Sequence, residues 1–191
     1  ITAAYDIKSG IASLTDEGVA QFTELAGLTA KATKSTTGEM TSLFATGYGI
    51  YKGYYSELSD LEFGEMFAGG IATAVKAYKT SGSEMASAIS ALGGTATSAN
   101  VPLEEQLSVL GMLQATMSGS EAATKYKALL NAATGAGEKL GLNFLDADKQ
   151  LRSLPEILGI LKSKYGDTID AVEKKKIKEA FGSDEAVAVI D

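Results

Sequence analysis

The chain is 191 residues long, carries a formal net charge of −7 and contains neither histidine nor cysteine. Those absences exclude the usual zinc ligands, Cys- and His-based nucleophile systems, a switch near neutral pH and any disulfide framework. The acidic balance repels nucleic acid and anionic lipid at long range, and the length suits one ordinary domain with a real core.

Ile1 is not an initiator methionine, and the other end, AVAVID, stops without a tail, so the expectation is a piece cut from a much longer chain. Thr15-Asp16-Glu17 is the first helix start, ahead of an apolar period at Val19, Phe22, Ala26, Ala30 and Thr33. The S/T-x-x-E capping signature then appears five times: Thr36 to Glu39, Ser59 to Glu62, Ser81 to Glu84, Ser118 to Glu121 and Ser153 to Glu156. One such match is weak, but five, each ahead of a helical period, are strong. Tyr48, Tyr51, Tyr54 and Tyr55 fit a partner surface or a core equally well, since tyrosine buries its ring while its hydroxyl stays wet. Phe63, Phe67, Ile71, Ala74 and Tyr78 form one stripe, and Met85, Ile89, Leu92 and Ala96 another. FAGGIATAVKAY at Phe67 to Tyr78 is the nearest approach to a membrane span, but it is short and carries Lys76.

Val101 to Asn131 reads as a helical hairpin. Leu103, Leu107, Leu110, Leu113 and Met117 line its first helix, with Pro102, Glu104 and Glu105 in the first turn. Ala123, Tyr126, Leu130 and Ala133 restart the period after Ser118. Thr134 to Gln150, rich in glycine and short polar residues, is the main irregular connection. A proline-bounded helix follows from about Pro155 to Tyr165, then one from Asp167 to Phe181. Gly182 fits a left-handed cap, and Ser183 begins the final helix. The fold class expected is all-α: a compact bundle of about eight to ten short helices with no sheet, as a single domain over residues 1–191. Only two prolines, no long Ser/Gly linker and no fixed-period repeat leave no domain boundary.

The chemical motifs fail on inspection. Gly135-Ala136-Gly137 begins like a dinucleotide fingerprint, but the third glycine position holds Leu140 and no strand precedes it. Asp146 to Gln150 begins like a calcium loop, yet the obligatory glycine is missing and the twelfth position is Ile157. Neither S-x-x-K nor G-x-S-x-G occurs. Carboxylate pairs such as Glu104 and Glu121 illustrate what glycoside cleavage would need, but capped and solvated helix faces account for them. The basic run Glu173 to Lys178 reads as a solvated face around Ile177, because no aromatic interleaving accompanies it. The chain is therefore expected not to be an enzyme, with no catalytic, cofactor-binding or metal-ligating residue and no cofactor.

The succession of runs resembles the conserved helical core region of phage tail tape measure proteins of the TP901 type, also found in prophages. The resemblance rests on Ala32 to Gly53, Tyr78 to Ala96, Val101 to Leu130, Leu140 to Asp148, Leu154 to Asp167 and Lys178 to Val187, in order across nearly the whole chain. Family members commonly have glycine where this chain has Ala123, and a glycine in the turn that here reads DADKQ. The resemblance implies a virion structural protein that lies in the tail interior, sets tail length during assembly in the host bacterial cytoplasm, and is released around DNA ejection. It implies the tail tube protein and tail assembly chaperones as partners. Self-association is open, since Gly and Ala faces serve contacts within and between chains equally well; no nucleic-acid site and no membrane span are expected in this piece. Two other classes stand beside it: a tail-associated cell-wall-degrading domain, and a membrane-active helical module for DNA entry.

As one continuous helix the chain would span roughly 290 Å at ~1.5 Å per residue. Repeated caps, Pro102 and Pro155 break it into ordinary lengths that fold back to bury their stripes.

Overall fold

Thr15, Thr36, Ser59, Ser81, Ser118 and Ser153 each stand at a helix N-cap, with the side-chain oxygen accepting from a backbone N–H three residues on. A computed structural model describes all of residues 1–191. In chain order the helices are α1 (Thr2–Gly10), α2 (Asp16–Thr33), α3 (Thr37–Tyr51), α4 (Asp60–Tyr78), α5 (Gly82–Leu92), α6 (Thr95–Ser98), α7 (Leu103–Leu113), α8 (Gly119–Leu140), α9 (Leu154–Tyr165), α10 (Ala171–Phe181) and α11 (Asp184–Ile190). A 3-10 turn, Lys52–Tyr55, continues α3. The count of eleven exceeds the expected range because Gly93, at φ 56, and Gly94 split the one-turn α6 from α5. There is no sheet; the sole β feature is an antiparallel bridge between Leu145 and Leu151.

The buried apolar residues form one cluster running from Ile7 to Ala186. In the first half, α2 lies against α3 and α4, and α1 and α5 also pack on α3. Aromatic rings fill this region. Phe67 stacks on Phe63 at 5.9 Å and meets Phe44 edge-on at 5.2 Å, while Phe22 meets Phe44 and Tyr48 edge-on at 6.1 and 6.0 Å. Gly47 permits this, since a Cβ there would stand 2.4 Å from the Phe67 ring. α8, at 22 residues about 33 Å long, spans the second half. It packs chiefly on α5 and on α10 and α11, with α7 a lesser neighbour.

Three expectations change in detail. The first helix of the Val101–Asn131 hairpin ends at Leu113, and α8 buries Leu129 rather than Leu130, so its face points mainly at α5 instead of α7. The glycine-rich connection does not begin at Thr134: α8 runs through Gly135 and Gly137 to Leu140 and ends on Gly141 at φ 66. The loop folds back over that end so tightly that a Cβ on Gly137 would meet the Phe144 ring and the Leu142 carbonyl at 3.0 Å, and this close packing outweighs glycine's poor helix propensity. The helix expected from Asp167 starts at Ala171, because Asp170 is the better cap: its Oδ1 accepts from both Val172 and Glu173. Gly182 and Ser183 serve as expected, with φ 75 and an N-cap bond from Ala186.

Candidate functional site

The polar chemistry of the chain is concentrated at its helix starts. In four of the five expected capping boxes, headed by Thr36, Ser59, Ser118 and Ser153, the glutamate three residues on also accepts from the N-cap backbone N–H. These bonds hold the carboxyls of Glu39, Glu62 and Glu121 below the ordinary carboxylate value, the bond from the N-cap N–H being the main cause; for Glu156 the Ser153 hydroxyl leads.

The fifth box is incomplete, and the exception is instructive. Ser81 Oγ accepts from Glu84 N, but Glu84 Oε2 turns to a later helix and accepts from Gly119 N at 2.5 Å, the first amide of α8. A capping box satisfies the N-cap and N3 amides and leaves the first helical amide free. The same solution recurs at the two flanking helices. Tyr55 Oη accepts from Leu103 N at 3.0 Å, opening α7, and Glu105 Oε1 accepts from Leu154 N at 2.8 Å, opening α9. Three consecutive long helices are thus tied at their first amide to an earlier part of the chain. Gly119 also packs its backbone on α5, where an added Cβ would stand 2.0 Å from the Glu84 carbonyl oxygen.

The four tyrosines divide between core and surface. Tyr54 is exposed. Tyr48 donates to Asp60 Oδ1 at 2.7 Å, and partial burial with that carboxylate raises its pKa. Tyr51 is only 1 % exposed and its hydroxyl has no partner. The same holds for Tyr126 in α8 and for the amide oxygen of Gln106 in α7, whose Nε2 donates to Val101 O at 2.9 Å and Thr97 Oγ1 at 3.2 Å. Burial pushes both phenols well above their ordinary range. A buried polar group left without a partner costs about 1–3 kcal/mol of desolvation. A cleft of about 290 Å³, lined by Tyr51, Tyr55, Gln106 and the Thr97–Leu103 connection without any charged residue, opens beside them.

Two further depressions bear on chemistry or contact. A groove of about 580 Å³ between α4 and α7 has Gly69, Gly70, Ala74 and Ala77 on one wall and Leu103, Glu104 and Leu107 on the other. A cleft of about 340 Å³ gathers Lys139, Lys164 and Lys176. Lys139 and Lys164 sit in the last turns of α8 and α9, and Lys164 Nζ donates to Leu140 O, so these cations answer the negative helix ends. The remaining lysines of the basic run are paired: Lys174 with Asp191 at 3.0 Å, Lys175 with Glu179 at 3.8 Å and Lys178 with Asp184 at 2.6 Å, around a buried Ile177.

The residues weighed for chemistry are not brought together. Gly135-Ala136-Gly137 lies within α8. Asp146 Oδ1 is occupied by the amides of Asp148 and Gln150, and Lys149 at φ 62 takes the left-handed position for which a glycine is the easier residue, so the turn closes without one. Glu121 is held ionised in its capping box, whereas a general acid needs a raised pKa. Ala123, where the resembled family commonly has glycine, is fully buried. No group of His, Cys, Asp or Glu is arranged to hold a metal ion, and no helix is long and apolar enough to cross a membrane.

The first-amide anchors and the orphaned tyrosine cluster escaped sequence reading, since both join residues 35 or more positions apart or depend on burial alone. One signal was present for the anchors: Ser81–Glu84 and Glu105 stand within a helical turn of residues already assigned to caps.

Comparison with known proteins gives one result. A family model for phage-related minor tail proteins matches residues 1–182, and the chain belongs to that family. No curated protein and no solved structure matches it. The chain is accordingly a phage tail component with an all-α fold.

Proposed function

We propose that this member of the phage minor tail family is a structural module of a tail tape measure protein. It is one folded unit in a longer chain, sets tail length during assembly in the host cytoplasm, and lies in the tail interior until it is released around DNA ejection. The tail tube protein and tail assembly chaperones are its partners. The observation that carries this reading is the family match over residues 1–182, joined to the ordered runs that resemble the tape measure core. The module acts as structure and not as an enzyme, a reading supported by the glutamates of its helix starts, which are spent on backbone amides.

The test is an in-frame deletion of these 191 codons from the parent gene, with tail length measured by electron microscopy. A ruler segment that stays folded, about 40 Å across for this length, shortens tails by about that distance. One unrolled into continuous helix shortens them by roughly 290 Å. Tails of unchanged length would sink the tape measure role while leaving the family assignment intact.

A further inference from the structure

Arg152, Lys162, Lys174, Lys175 and Lys178 each stand within 3.9 Å of a carboxylate. Beyond Arg152 only Lys164 and Lys176 have no acidic partner, and both line the cleft of about 340 Å³ that Lys139, also unpaired, lines from the end of α8. Three helices thus bring one ammonium each to a single concavity. Glu179 is the sole carboxylate in its lining, and Lys175 stands 3.8 Å from that carboxylate. The C-terminal ends of α8 and α9 offset about half a charge each, which leaves roughly two positive charges facing the cleft. In a chain with 24 acidic residues and a net charge of −7, this is a gathering of cations that the fold does not neutralise.

We propose that the Lys139, Lys164 and Lys176 cleft binds a small dianionic phosphate, free or as a monoester, and that the bound group ties α9 to α8 and α10. A dianion matches the remaining charge, and oxygens on one tetrahedral centre accept from ammonium groups that arrive from different directions. Lys164 spends one N–H on Leu140 O and keeps two for a ligand. Its ammonium also lies 5.6 Å from the centre of the half-buried Tyr165 ring, which helps to hold it at the cleft. The space admits a phosphate with a small ester group, and the acidic chain repels long polyanions. α9 is the helix that gains most. It buries only Leu154, Ile157 and Leu161 and shares no extended packing interface with another helix.

The test is a thermal melt in inorganic phosphate, in glycerol phosphate and in chloride at matched ionic strength. At about ten times its Kd, the phosphate raises Tm by about 3–5 °C over chloride, and the arm with the larger shift at equal concentration identifies free ion or ester as the preferred source. Phosphate also strengthens folds without binding, so variants separate the two effects. Lys139→Ala with Lys176→Ala removes two cations that hold no partner in the fold, and abolishes the excess shift. Lys174→Ala, in the same basic run but paired with Asp191 and outside the cleft, retains it. On the unaltered chain, phosphate slows amide exchange severalfold in the last turn of α9. An equal shift in chloride, an equal shift in the double variant, or exchange in α9 that ignores phosphate overturns the site. Binding of a short single-stranded oligonucleotide as tightly as phosphate overturns it too, since that marks an open polyanion surface.

Discussion

The two ends of this bundle are held by different forces. Seven of the eight close aromatic pairs lie between Phe22 and Phe67, in α2, α3, the turn after it and α4. All five ion pairs lie between Arg152 and Asp191, in and around α9, α10 and α11. Buried aromatic packing is worth several kcal/mol per ring, whereas exposed ion pairs contribute about 0–1 kcal/mol each. The C-terminal helices therefore owe their place less to their own charges than to the long shelf of α8, on which α10 and α11 rest. Fold stability is set in the first half and lent to the second.

That contrast can be broken at its strongest point. Phe67→Ala removes the ring that Phe44, Tyr51 and Phe63 surround, and is expected to cost about 3–5 kcal/mol, read as a large fall in the denaturation midpoint of the whole chain. A loss below about 1 kcal/mol would show that the aromatic cluster is not the stability centre. Next in size, Gly119→Ala forces a Cβ against the Glu84 carbonyl and wedges α8 from α5, for a loss of about 1–3 kcal/mol by chemical denaturation. Because α8 carries the C-terminal helices, α10 and α11 should gain proteolytic sensitivity in this variant before α2 and α4 do.

Acid sharpens the comparison differently. Glu39, Glu62, Glu121 and Glu156 have folded pKa values below the ordinary 4.5, so their capping bonds add full stability above that value. The contribution is lost as pH falls through the lowered folded values. These glutamates start α3, α4, α8 and α9, so acid should weaken both ends together, with Tm flat from pH 7 to about 5 and falling below about 4.5. A melt in which only residues beyond Arg152 respond to acid would contradict that. Smallest of all, Lys178→Ala severs the 2.6 Å pair with Asp184 and should change stability by no more than about 0.5 kcal/mol. Molar salt should be comparably weak and confined to exchange rates in α9, α10 and α11.

The helix starts were readable from sequence because a capping box is local: donor, acceptor and spacing all lie within four residues. Gly182 and Ser183 were readable for the same reason. What sequence could not show depends on partners brought from afar. Gly135 and Gly137 read as a loop but are helical, and at Gly137 the returning Phe144 loop needs the missing side chain. Glu84 reads as a box glutamate but faces α8. Asp167 and Asp170 are equally plausible starts on composition alone, and only the chain's path selects Asp170. The tyrosine run was ambiguous, and rightly so: its four members end in four different environments.

The anchors at the starts of α7, α8 and α9 share a direction. Tyr55 holds Leu103, Glu84 holds Gly119 and Glu105 holds Leu154, at separations of 48, 35 and 49 residues, and the holder always comes first in the chain. During synthesis, at about 5–20 residues per second, each grip is already in place when the amide it will hold emerges from the ribosome. The bundle can therefore be laid down like a zip closed from one end, each helix docking on finished structure with no need to wait for a later segment.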